Sequence, residues 1–212
     1  SGKLKCDDYT RRTAMGYEDA WAVVPEDTPG KIHRNNFGSE NYNILRNLLV
    51  WCSIVKLQRG AEIGTFLGDT SFHLLAEISA LTLFSIDPWD KYEGYKEYNG
   101  EILCANEQKA RARLKCFGER SVIIKDFSVS AAEQFETESL DFVFIDGNHS
   151  YDFVKEDIRA WYPKVRPGGL FSGHDYHWEG VQRAVHEFSA ERSLAGSCSA
   201  ATSDVWYFIK PE

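Results

Sequence analysis

Short apolar runs recur along this chain, each breaking at a glycine or an acid and each separated from the next by a helical period, and that alternation restricts the fold more than any other feature. Residues 60–64, 81–86, 121–125, 140–145, 170–172 and 205–209 read as strands. Between them lie helical stretches. The first covers residues 69–78 with Phe72, Leu75 and Ile78 on one side; others cover 101–117 and 129–135. A further helix carries Val154, Ile158 and Trp161 and stops at Pro163, and the last is centred on Val181, Ala184, Val185 and Phe188. Strands regularly separated by helices need crossover connections, and right-handed crossovers place helices on both faces of a mainly parallel sheet. The prediction is a doubly wound α/β domain over residues 39–212, opening with a helix from Ser39 (Tyr42, Leu45, Leu49, Cys52, Val55) and preceded by an N-terminal extension over residues 1–38.

Charge and cysteines narrow the function. A formal net charge of −8 with dispersed lysines and arginines leaves no basic face for tracking phosphates, which argues against nucleic acid as a partner. The five cysteines are far apart and include no C-x-x-C pair, so neither a disulfide framework nor a structural zinc site is suggested, and a reducing, cytoplasmic setting is expected. No stretch reaches the ~18 apolar residues of a membrane span.

In an open α/β sheet the ligand sits beyond the carboxyl ends of the strands, so the residues ending each run matter most. The first run ends Glu62-Ile63-Gly64-Thr65-Phe66-Leu67-Gly68-Asp69. The glycines permit close approach of a ligand to the backbone, and Glu62 can orient an ammonium group. This spacing is not that of a dinucleotide loop, and Asp69 at the helix start would repel a pyrophosphate, which disfavours a nicotinamide oxidoreductase. The second run ends at Asp87, about twenty residues after the glycine turn, where a carboxylate accepts ribose hydroxyls. Asp126 and Phe127 end the third, fitting either an adenine contact or an ordinary helix cap. The fourth and fifth runs end Asp146-Gly147-Asn148-His149 and His174-Asp175-Tyr176-His177. Asp146, Asp175 and His174 suit a hard divalent cation, magnesium or another; a purely hydrogen-bonded site is the alternative. Trp89, Tyr92, Tyr95 and Tyr98 recur every three residues, as either a packed helical stripe or a lid of rings for stacking on an acceptor.

Several ordered segments carry a family likeness: 144–151 (FIDGNHSY), 154–161 (VKEDIRAW), 165–170 (VRPGGL), 173–176 (GHDY) and 180–185 (GVQRAV). Over residues 39–210 the chain resembles the class I S-adenosylmethionine (SAM) dependent methyltransferases, in particular methyltransferase family 24. The resemblance implies a Rossmann-like, doubly wound, mainly parallel seven-stranded sheet. It implies a SAM site at Glu62, Gly64, Thr65, Phe66, Gly68, Asp87, Asp126, Phe127 and Asp146, with Glu62 and the glycines around the methionine part, Asp87 at the ribose and Asp126 with Phe127 at the adenine. In metal-using sugar and catechol O-methyltransferases, acidic or amide groups ending the fourth and fifth strands hold magnesium. Matched here, they give Asp146 and Asp175, with His174 where those relatives carry oxygen ligands. Some relatives also place an acid two residues after the first metal ligand as general base; this chain has Asn148 there, and His149 is the nearest replacement. The catalytic set is then His149, His174 and Asp146, with Trp89, Tyr92, Tyr176 and His177 lining the acceptor pocket. The expected reaction is O-methylation of a small acceptor, a sugar or glycoconjugate before a catechol-like phenol, with a non-catalytic nucleoside-binding module as the other reading. No membrane partner is expected, and a homo-oligomer is compatible with all of this.

Overall fold

The computed structural model describes residues 57–91, 100–194 and 204–212. Their strands are β1 (Arg59–Ile63), β2 (Thr82–Ile86), β3 (Ser121–Ile124), β4 (Leu140–Ile145), β5 (Val165–Gly173) and β6 (Trp206–Ile209). The helices are α1 (Asp69–Glu77), α2 (Gly100–Leu114), α3 (Ser128–Ala132), α4 (Tyr151–Trp161) and α5 (Glu179–Arg192). The sheet order is β3-β2-β1-β4-β5-β6, parallel throughout except for β6, which runs antiparallel to β5. The described residues thus form six strands rather than the seven expected. The expected extension over residues 1–38, the helix from Ser39, and Tyr92, Tyr95 and Tyr98 lie outside the described residues.

β4 sits between β1 and β5, and all six of its residues are buried. A parallel strand covered on both faces must be apolar on both, which is why its pattern does not alternate. Phe142 and Phe144 pack with Phe72, Leu74 and Leu75 of α1, whereas Val143 and Ile145 pack with Val154, Ile158 and Trp161 of α4 and Val181, Val185 and Phe188 of α5. Asp157 lies in the same buried stripe of α4. Burial pushes its carboxyl up to about 7 against a bond from Ser128, whose Oγ also accepts the Trp161 indole N–H at 2.9 Å.

β5 starts earlier than the Pro167-Gly168-Gly169 signal suggests. Val165 pairs with Leu140 and Leu170 with Phe142, so the extra residues bulge out between them. The bulge is held by Asp141, whose carboxylate accepts Arg166 Nε at 2.7 Å and the backbone N–H groups of Gln58 and Arg59 at 2.7 and 2.9 Å. One acid thereby ties the entry ends of β1, β4 and β5 together. No described helix is long and apolar enough to cross a membrane.

Candidate functional site

The strand order reverses between β1 and β4: the chain leaves β1 toward β2 on one side, while β4 occupies the other. That switch point opens a crevice at the carboxyl ends of the two strands. Gly64 and Asp146 face each other across it, with Asp146 N–H donating to the Ile63 carbonyl at 2.7 Å. Gly64 has φ +91°, and a Cβ there would lie 2.0 Å from the Asp146 carbonyl oxygen. Only glycine allows the two backbones to approach so closely. Beneath this contact is Glu62, 2% exposed, whose carboxylate accepts the Ser71 hydroxyl; Ser71 Oγ in turn lies 2.7 Å from Ser85 Oγ. Burial pushes the Glu62 carboxyl up to about 8; bonds from Ser71 and Thr70 oppose the shift, and the charges of Asp146 and Asp87 add to it. A buried carboxyl of this kind ionises readily only when a cation comes to it.

Asp87 follows β2 and clasps two turns. Its Oδ2 accepts Phe66 N–H at 2.8 Å and its Oδ1 accepts Trp89 N–H at 2.7 Å, while the Trp89 indole donates to the Phe66 carbonyl at 2.8 Å. Burial raises the Asp87 carboxyl despite these two donors. Phe66 (φ 49°) is exposed, whereas Trp89 (φ 40°) is buried. Thr65 is buried with its hydroxyl donating to the Ile86 carbonyl at 3.3 Å, and Gly68 (φ +76°) caps α1. After β3, Asp126 accepts Phe127 N–H at 2.8 Å and the Ser130 hydroxyl at 2.9 Å, so it holds the first turn of α3 and leaves the Phe127 ring exposed.

The ends of β4 and β5 bring the histidines and acids together. His174 Nδ1 lies 3.3 Å from Asp146 Oδ1 and 3.2 Å from Asp175 Oδ1, and His149 Nδ1 lies 3.9 Å from Asp175 Oδ2. Burial works against charge on His174, but the bonds and charges of Asp146 and Asp175 outweigh it and raise the imidazole to about 10. Burial likewise works to raise Asp175, yet the bond and charge of His174, with His149 and His177 beyond, hold it below the usual carboxylate range. Asp175 has φ 59°, an uncommon left-handed backbone for a non-glycine residue, in the turn that follows β5. Asn148 is buried and accepts Ser150 N–H and Oγ at 2.9 and 2.6 Å, an Asx turn that starts α4 and sets the position of His149. Tyr176 packs in the core with its hydroxyl 2.6 Å from His186 Nε2.

Two neighbours carried no sequence signal. Trp178, 46% exposed, stacks on His149 with ring centroids 4.5 Å apart and planes 21° apart. Asp204 accepts His177 N–H at 2.8 Å and faces His177 Nδ1 at 2.5 Å; its Oδ2 is 3.8 Å from His174 Nε2. Asp204 reaches the site because β6 is antiparallel and therefore begins at the carboxyl end of β5, an orientation that periodicity does not reveal. Among the described residues, Asp146, His174 and Asp175 could together hold a metal ion, as could Asp175, His177 and Asp204, each set offering donor atoms within 4.8 Å of one another.

Comparison with known proteins bears on this arrangement. A family model described as a methyltransferase domain matches residues 61–176. The uncharacterized protein y4gI of Sinorhizobium fredii is 28% identical over 147 residues, which cover 64% of this chain and only 15% of that protein. Among solved structures, the O-methyltransferase NovP aligns with a TM-score of 0.64 at 18% identity over 82% of this chain and 81% of its own. A Bacillus cereus O-methyltransferase in complex with SAH aligns at 0.57 and 15% identity, covering 88% of this chain and 84% of its own. CalS11, a TDP-rhamnose 3'-O-methyltransferase of calicheamicin biosynthesis, aligns at 0.51 and 14% identity, covering 82% and 81%.

Proposed function

Since the methyltransferase domain model spans residues 61–176 of 212, this chain belongs to that family of SAM-dependent methyltransferases, and we propose that it methylates a hydroxyl of a small acceptor, most readily a sugar or glycoconjugate. The observation that carries the proposal is the crevice itself. A buried carboxyl at Glu62, a glycine cradle at Gly64 and a fixed carboxylate at Asp87 lie on one side of the switch point, and a histidine–acid cluster lies on the other.

In this reading Glu62 receives the ammonium of the methionine part, the Gly64 turn with Thr65, Phe66 and Gly68 follows its backbone, Asp87 accepts the ribose hydroxyls, and Asp126 with Phe127 borders the adenine. SAM supplies an electrophilic methyl carbon on a sulfonium. The acceptor hydroxyl must be held in line with it and lose its proton as the new C–O bond forms. His149 takes that proton: its ring is fixed by the Trp178 stack and the Asn148 turn, and Asp175 stands 3.9 Å from its Nδ1 to stabilise the imidazolium. Asp146, His174 and Asp175 present a convergent donor set that fits a divalent ion, and such an ion would lower the hydroxyl's pKa. An exposed tryptophan face beside carboxylates also suits a hydroxylated ring, apolar on its C–H face and hydrogen-bonding at its edge. The fold shared with a TDP-rhamnose 3'-O-methyltransferase supports the same acceptor class.

Calorimetric titration with SAM, SAH and NADH, followed by methyl transfer assays with dTDP-rhamnose and with catechol, tests the reading. Binding of SAM and SAH alone, turnover on the sugar, and a raised acceptor KM in Trp178→Ala with unchanged SAH affinity are the expected results. Preference for NADH would overturn it.

A further inference from the structure

The donor set at the ends of β4 and β5 is not all oxygen. Between the carboxylates of Asp146 and Asp175 stands an imidazole nitrogen, His174 Nδ1, at 3.3 and 3.2 Å. On the opposite edge of the same ring Nε2 faces Asp204 Oδ2 at 3.8 Å. Asp204 is itself held: its Oδ1 accepts His177 N–H at 2.8 Å, its Oδ2 faces His177 Nδ1, and its carbonyl accepts Tyr176 N–H at 3.0 Å. At 3.8 Å Asp204 does not hydrogen-bond Nε2, but its charge behind the ring favours the proton on that nitrogen and the lone pair on Nδ1, the nitrogen that faces Asp146 and Asp175.

We infer that this centre is a mixed nitrogen–oxygen site selective for a divalent transition ion of the zinc and cobalt type over magnesium, with Asp146, His174 Nδ1 and Asp175 as ligands and Asp204 as the carboxylate that positions His174. Magnesium demands oxygen donors in near-ideal octahedral geometry and sheds water reluctantly, whereas imidazole suits zinc, cobalt and their neighbours. The inference rests on the reading above in placing a divalent ion at this centre, but ion binding is independent of what is methylated. The competing arrangement uses the other face of Asp175, with His177 and Asp204 as ligands. Its His177 is 59% exposed and its Nδ1 already faces Asp204, so the more enclosed set around His174 is favoured.

The test is titration of the full chain, stripped with chelator, with Zn2+, Co2+ and Mg2+ by calorimetry, together with the visible spectrum of the cobalt form. SAH is titrated in parallel. Zinc and cobalt are expected to bind about tenfold or more tighter than magnesium. Asp146→Asn and His174→Ala should lose the ion. Asp204→Asn should weaken it about ten- to a hundredfold and shift the cobalt absorption, with SAH affinity unchanged as proof of a folded cofactor site. His174→Asp should move the preference toward magnesium. Magnesium bound as tightly as zinc, or no ion bound at all, overturns the inference. So does loss of the ion in His177→Gln with retention in Asp146→Asn, which places it on the other face of Asp175. Failure of SAH to bind the unmodified protein would count against methyl transfer and leave the ion preference readable.

Discussion

Replacing Glu62 by glutamine should abolish the pH dependence of stability that this residue imposes. The unfolded chain releases this proton near its ordinary value of 4.5, but the folded chain keeps it until about pH 8, because burial opposes the charge and Asp146 and Asp87 reinforce that opposition. Between those values the folded state binds the extra proton, so stability falls as pH rises from about 4.5 to about 8 and then levels off. At ~1.4 kcal/mol per pH unit the full effect comes to ~5 kcal/mol, a large share of the ~5–15 kcal/mol typical of a domain. Glu62→Gln removes the titration and keeps an oxygen for the Ser71 hydroxyl. Thermal unfolding from pH 5 to 9 should therefore show the wild-type curve dropping away from the variant, by ~10–20 °C at pH 8, taking ~2–4 °C per kcal/mol at this size. SAM should stabilise the wild type more at pH 8 than at pH 6, since its ammonium compensates the buried anion, and should do little for the variant. Parallel curves for the two proteins, with equal stabilisation by SAM, would refute both the burial argument and the role given to Glu62.

Gly64→Ala puts a Cβ 2.0 Å from the Asp146 carbonyl at φ +91°; left-handed strain of ~1–2 kcal/mol plus the forced parting of the backbones should cost ~3 kcal/mol or more in a urea melt, and a loss below ~1 kcal/mol would show the close approach to be unimportant. Asp141→Ala takes the carboxylate from the part-buried N–H groups of Gln58 and Arg59; at ~0.5–1.5 kcal/mol per hydrogen bond it should destabilise by ~1–3 kcal/mol, with Asp141→Asn recovering part. Equal stability of Asp141→Ala and the wild type would mean that water replaces the carboxylate. His149→Ala should lower kcat ~10²–10⁴-fold with SAH affinity unchanged; full activity would remove His149 from proton transfer.

Much of the scaffold follows from chain-local physics. The run 140–145, apolar except for Asp141 at its entry end, reads as a strand covered on both faces, and the burial of Phe142 and Phe144 on one side with Val143 and Ile145 on the other shows it. The spacing of Val154, Ile158 and Trp161 sets the inner face of α4, although the same stripe admits the buried acid Asp157, for which hydrophobic periodicity has no signal. The start of β5 was less legible, because a proline–glycine–glycine run reads locally as a turn and only the pairing with β4 and the anchor at Asp141 make it a bulge.

For the site, the sequence determined which residues end the parallel strands, since strand periodicity and glycine breaks are local properties. That was enough to bring Glu62, Gly64, Asp87, Asp146, His149, His174 and Asp175 into one candidate set. Only the tertiary structure decided how they face one another. The stack of Trp178 on His149 depends on the angle at which α5 leaves β5. The approach of Asp204 to His174 depends on β6 returning antiparallel from the far end of the chain. Both are contacts between segments whose relative direction no local pattern encodes. The same holds for Glu62: its place in the sequence marks it as a strand residue, but only complete burial among Ser71, Asp87 and Asp146 turns that carboxyl into a group waiting for a cation.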